Sequence, residues 1–186
     1  MTSESGGGDV DRISPIDLEP IGECRVLRNV SAQPGIATVE GTIVPLLSGE
    51  KIRSHTIVMH PGQYCYAHPH ETESIIYTVA GRWVFCTTEN DEEVRTVINQ
   101  NDLFHFPGGV PTGFETPFAE GATILIIKSG DETYDEMVAA LVATRTELAS
   151  QSAGGEPFYY RELAEDHPAR VYGRDVSGHD PASLGA

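Results

Sequence analysis

The stretch AHPHETES, Ala67 to Ser74, places two histidines two positions apart and follows them with an acidic, hydroxyl-bearing run. On a β-strand, residues i and i+2 point to the same face, so His68 and His70 would present two imidazoles side by side, a spacing suited to chelating one metal ion. Such pairs also occur on plain surface strands. What surrounds this one decides its meaning.

Outward from it, Cys24 to Lys128 reads as short apolar or alternating segments: CRVLRN, IATVEGTIV, SHTIVM, SIIYTVAGRWVFC, EVRTVIN, DLFHF and ATILIIK. Between them HPGQ, TENDEE, NQND and PGGVP supply Gly, Pro, Asn or Asp where the chain must reverse. Seven or more short strands at this spacing predict an all-β sandwich or barrel, and nothing suggests βαβ units. The barrel is expected over residues 21–129, preceded by a flexible Gly-, Ser- and acid-rich segment, residues 1–20. After Lys128 the period changes. Tyr134, Met137, Val138, Leu141, Val142 and Leu148 recur at helical spacing, with Asp131 and Glu132 suited to the N-terminal dipole, which predicts a helix over 130–150. That helix should dock on the barrel or on a second subunit. Residues 151–186, rich in Gly, Pro and charge, are expected as an extended or flexible tail. The aromatics of PFYYREL offer an alternative, an arm packed on a partner subunit.

A chain of 186 residues is long enough for one domain with tails. Its formal charge of −16, from 28 acidic against 12 basic residues, would repel phosphate backbones and anionic headgroups, so neither nucleic acid nor a membrane is an expected partner. Only Lys51 and Lys128 are lysines. Three cysteines without CxxC spacing, behind a polar start with no apolar signal region, predict a cytoplasmic protein with reduced thiols. No apolar run approaches the roughly 18 to 20 residues of a bilayer span.

Two motifs carry a family resemblance. Gly62, five residues, His68, Pro69, His70, three residues, Ser74, six residues, Gly81 resembles the first conserved motif of the cupin superfamily, which has Glu where this chain has Ser74. Asn101, five residues, Pro107, Gly108, Gly109, two residues, Thr112 resembles the second, which opens on Gly and closes on His. Order and separation both fit, over roughly the central half of the chain. The resemblance implies a small, RmlC-like cupin: a double-stranded β-helix, or jelly-roll barrel.

It also implies a ligand set of two His and a Glu from the first motif and a His from the second. His68 and His70 occupy two of these places, while Ser74 and Thr112 replace the others with hydroxyls, poor ligands beside a carboxylate or an imidazole. Glu73 could substitute if a bulge turned it inward, and His105, on the strand leading into the second motif, could supply an imidazole from one strand over. A site of His68, His70 and either His105 or Glu73 would leave open positions for substrate around a divalent iron, zinc, nickel or manganese ion. Ser74, Thr112, Tyr66, Phe104 and Trp83 are the candidate pocket residues. Arg82 could pair a substrate carboxylate, an outward salt bridge being the alternative, and Cys65 and Cys86 read as small buried hydrophobes unless a thiol lies near the metal.

These readings point to a metal-dependent enzyme of the dioxygenase, isomerase, lyase or decarboxylase type, acting on a small oxygenated organic molecule inside the barrel. The alternative is a non-catalytic cupin that binds a small molecule or serves as an assembly unit. A homodimer is expected, because an isolated jelly roll leaves sheet edges that need covering.

Overall fold

A computed structural model describes residues 13–90 and 92–185. Most of the segment expected to be flexible, residues 1–12, lies outside the described residues. The remainder of it runs into a two-stranded antiparallel ribbon of β1 (Leu18–Ile21) and β2 (Cys24–Leu27). The barrel follows as β3 (Ile36–Thr38), β4 (Gly41–Ser48), β5 (Ile52–Met59), β6 (His68–Pro69), β7 (Ser74–Glu89), β8 (Glu92–Asn99), β9 (Leu103–Phe106), β10 (Pro111–Glu115) and β11 (Ala122–Ser129). Among the described residues two α-helices follow, α1 (Tyr134–Ala153) and α2 (Pro168–Ser177). The fold is mostly β, a curled antiparallel sheet closed by helices, as the strand pattern predicts.

Strand order is β3-β4-β5-β11-β7-β10-β6, with β8 and β9 also paired to β7. The 16-residue β7 joins the two walls of the barrel. Its first half pairs with β11 and β9, its second half with β8 and β10. The change of wall falls at Gly81, whose φ of 74° suits glycine and whose missing Cβ would come within 2.1 Å of the Gly121 carbonyl oxygen. A bulge at Val79 of β7, opposite the step from Thr123 to Ile124 of β11, accommodates the same bend.

Period-two alternation then sorts side chains into inside and outside. Directly opposed residues of β5, β11 and β7 form inward layers: Ile57, Ile124 and Thr78, then His55, Ile126 and Ile76, then Arg53, Lys128 and Ser74. The interior is thus apolar at depth and cationic toward one rim. The apolar end holds Met59, Ile76, Trp83, Phe106, Ala122, Ile124 and Ile126, with Phe85, Phe104 and Phe114 packed against them. Trp83 is fully buried, stacks on Phe114 at 5.2 Å and donates its Nε1 proton to Thr78 Oγ1 at 2.9 Å, so its one polar atom is satisfied.

Helix α1 starts where the acidic run predicts, on a capping box in which Thr133 accepts from the Glu136 backbone N–H and Glu136 accepts from that of Thr133. It packs on β3 and β4, burying Met137, Val138 and Leu148. The helix therefore docks on its own barrel and roofs the open end.

The C-terminal segment departs from the expectation of an extended or flexible tail. Residues 158–160 hydrogen-bond with 62–64: Tyr64 N–H donates to the Phe158 carbonyl at 2.9 Å, and Tyr160 N–H to that of Gly62 at 3.0 Å. Tyr160 and Phe158 are fully buried, and Tyr160, Leu163 and Ala169 cluster with Tyr64. Pro168 opens α2 at a position that needs no backbone donor, behind a His167 cap. High Gly and Pro content suggested mobility. Here those residues instead shape turns and close approaches, as at Gly173, where a Cβ would lie 3.0 Å from Pro181.

Candidate metal and ligand site

The interior holds a cavity of about 470 Å³, within the range of small-ligand pockets. Its floor is the apolar layer around Ile57 and Met59, its roof is the face of α1 carrying Met137, Leu141 and Leu148, and polar groups enter from two sides.

One side is the segment from Cys65 to His70. Gly113 on β10 lets this segment lie close, since a Cβ there would stand 2.6 Å from the Cys65 carbonyl oxygen. Cys65 Sγ–H donates to Glu40 Oε1 at 3.0 Å, and His68 Nδ1 lies 3.8 Å from the same sulfur. Donor atoms of Glu40, Cys65 and His68 all fall within 4.8 Å of one another, near enough to converge on one ion. The Tyr66 carbonyl lies 3.0 Å from His68 Nδ1, a contact of the kind that orients ligating imidazoles. The His70 ring lies tilted beside His68, 4.5 Å between centroids, with Phe106 tilted against it and Phe114 edge-on. Burial, with His68 and Lys128 nearby, pulls its pKa down to about 4, so it is neutral at physiological pH. Its Nε2 is buried and has no hydrogen-bond partner among the described residues. Burial, then the neighbouring Glu40 carboxylate, pushes the Cys65 thiol up, which keeps it protonated while it bonds to Glu40.

The other side is the cationic layer. Arg53 pairs with Glu132, at the foot of α1, and keeps a buried Nε without a partner. Lys128 lies between Arg53 and Ser74 across the sheet, and among the described residues no hydrogen bond or ion pair holds its ammonium. Burial and then Arg53 lower its pKa, opposed by Glu132 and Glu71. His55, fully enclosed, is lowered to about 3 by burial and by both cations, and is uncharged.

The expected third ligands are elsewhere. Glu73 and His105 bond to each other, Oε1 to Nε2 at 2.8 Å, with side chains 65% and 51% exposed. Strand parity explains this: His105 is opposite the outward Ile75, and no bulge turns Glu73 inward. Of the candidate pocket residues, Ser74 and Tyr66 line the cavity. Thr112 is fully buried in the wall, paired across from His68, with an unpartnered Oγ1. Phe104 and Trp83 belong to the aromatic core behind Phe114 rather than to the lining. Arg82 points outward to Glu120 at 2.7 Å. Glu40 was not visible in the sequence as a site residue, since it ends a turn 25 residues before Cys65 with no motif around it.

Residues 55–128 match the family model of the cupin domain. Over these residues the barrel is similar to a cupin domain. The match covers both motifs, the His68–His70 pair and the inward layers apart from Arg53, and leaves Glu40, α1 and the C-terminal segment outside it. No curated protein matches the chain. Among solved structures, an RmlC-like cupin from Shewanella frigidimarina NCIMB 400 is similar at 19% identity and a TM-score of 0.44, over 51% of this chain and 80% of its own. A point variant of oxalate decarboxylase from B. subtilis is similar at 20% identity and 0.48, over 55% and 29%. The DMSP lyase DddQ from Ruegeria pomeroyi DSS-3 follows at 24% and 0.38, over 45% and 40%. This chain thus spans under a third of the decarboxylase and two fifths of the lyase. Among the described residues no helix is long and apolar enough to cross a membrane.

Proposed function

We propose that the protein is a metal-dependent cupin enzyme that transforms a small oxygenated organic molecule inside the barrel, with Glu40, Cys65 and His68 holding the metal. The observation that carries this reading is the convergence of a carboxylate, a thiol and an imidazole at the wall of the interior cavity. Thiolate and imidazole together suit zinc or iron better than a hard, oxygen-seeking ion. A divalent ion there would supply Lewis-acid polarisation of a substrate oxygen.

The chain's own groups would do the rest. Glu40 accepts a hydrogen bond from the Cys65 thiol at 3.0 Å, and that proton would have to be released to water for the thiolate and the Glu40 carboxylate to hold the ion together. Neutral His70, beside His68, is free to accept a hydrogen bond through Nε2. Met137, Leu141 and Leu148 of α1 keep bulk water from the cavity. Outward-facing Leu103, Ile75 and Ile127, each at least 40% exposed, support a homodimer formed through the face that carries His105 and Glu73. Light scattering tests that part separately.

Elemental analysis of protein reconstituted with iron, zinc, nickel or manganese tests the function. About one equivalent of metal is expected in wild type and none in Cys65→Ala or His68→Ala, with Glu73→Ala and His105→Ala unaffected. A protein that takes up no metal under any of these conditions would be a non-catalytic binder.

A further inference from the structure

Resting on the proposal that the cavity takes a small organic substrate, we infer that the substrate is a carboxylate, and that Lys128, with Arg53 behind it, is the subsite that holds its carboxylate group. Three observations lead there. First, Arg53, Lys128 and Ser74 stand in one cross-strand row on β5, β11 and β7, all turned toward the same cavity that Cys65, His68 and His70 line from another wall. Second, the row's charges are unequal. Glu132 occupies Arg53, but Lys128 has no counter-ion in contact among the described residues, and Arg53 keeps an unpartnered Nε. Third, Lys128 is one of only two lysines in a chain of formal charge −16, and it sits inside the barrel, where a cation costs desolvation energy.

A bound anion would offset that cost by supplying the missing charge and hydrogen-bond acceptors. With Arg53 neutralised by Glu132, His55 uncharged, and Glu71 near Lys128 but exposed and outside the cavity lining, one net positive charge faces the cavity from this row, which matches a monoanionic carboxylate better than a phosphate dianion. Ser74, directly across from Lys128, adds a hydroxyl at the position where the family's first motif carries a carboxylate ligand. A carboxylate at that position would place a negative charge beside Lys128. The hydroxyl leaves room and charge for the substrate's own. The other acidic residues of the lining are engaged elsewhere: Glu40 accepts from Cys65, and Glu147 accepts from Gln151 on α1. The molecule that fits is a small acid with its carboxylate on Lys128 and an oxygenated carbon toward His68.

Calorimetric titration of chelator-treated, metal-free protein with glycolate, pyruvate, the neutral glycolamide and inorganic phosphate tests this apart from the metal proposal. Glycolate or pyruvate should bind at least about tenfold more tightly than glycolamide and than phosphate. Lys128→Gln should lose that preference at least about tenfold, and Lys128→Arg should keep most of it. Equal binding of glycolate and glycolamide, tighter binding of phosphate, no binding of either acid, or unchanged affinity in Lys128→Gln would each overturn the subsite. If Lys128→Gln does not fold, the wild-type comparison of glycolate with glycolamide decides. None of these outcomes depends on whether Glu40, Cys65 and His68 bind a metal.

Discussion

Two charged groups flank this barrel, a buried one on its outer face and a half-buried one inside, and they differ in completeness. Outside, Glu115 is fully buried yet accepts from Arg95 Nε at 3.0 Å and from Tyr160 Oη at 2.9 Å, while Arg95 also reaches Glu93 at 2.8 Å. Every charge there has a partner, and the effect is to fasten the C-terminal segment to the sheet. Inside, among the described residues, Lys128 has none and Arg53 has one. A closed network holds the fold, whereas an open one next to a cavity is poised for a ligand. The same residue types thus serve opposite ends, decided by whether the chain itself supplies the counter-charge.

The largest expected effect breaks the closed network. Glu115→Ala leaves Arg95 buried without its main counter-ion and should destabilise the protein by about 3 to 5 kcal/mol in denaturant unfolding. Tyr160→Phe removes one charge-assisted hydrogen bond but no charge, and should cost about 2 kcal/mol. The open network should respond in the other direction. Lys128→Met removes a desolvated cation that has no partner to lose, so stability should hold within about 1 kcal/mol or rise while carboxylate binding falls. If Lys128→Met proves as destabilising as Glu115→Ala, the two networks are alike and the distinction fails.

The smallest effect concerns a half-buried pair on the C-terminal segment, Arg170 with Asp180, whose nearest contact is 2.6 Å. The Arg170 hydrogen bonds hold Asp180 down from its ordinary 3.8 to about 2. A carboxylate depressed in the folded state stabilises fully above its unfolded value and loses that contribution as pH falls through the folded one. The stability difference between wild type and Asp180→Asn should therefore be small and constant near neutral pH, then shrink between about pH 4 and pH 2. A difference that grows on acidification would contradict the pairing.

Much of the barrel was legible because alternation reports sidedness. Parity alone puts Ser74, Ile76 and Thr78 inside and Glu73 and Ile75 outside, and the structure keeps that parity, so the bulge needed to bring Glu73 inward does not occur. The helix was legible from its period and its acidic start, although its true cap is Thr133 with Glu136. Glu40 was not legible, because its contact with Cys65 is made by folding β3 and β4 onto the segment before β6, and no local pattern encodes that meeting. Nor was the C-terminal segment, where Tyr160 reads as a sticky aromatic until Glu115, 45 residues away, gives its hydroxyl a buried partner. Short-range periodicity carries the walls of the barrel. Long-range pairing carries the chemistry on them.

The most direct test of the metal centre is the electronic spectrum of the cobalt-substituted protein. Sulfur ligation by Cys65 predicts a thiolate-to-cobalt charge-transfer band in the near ultraviolet for wild type and for Glu73→Ala, absent in Cys65→Ser. A cobalt-loaded wild type without that band, or a band that survives Cys65→Ser, would contradict the assignment of Glu40, Cys65 and His68 as the metal-binding group.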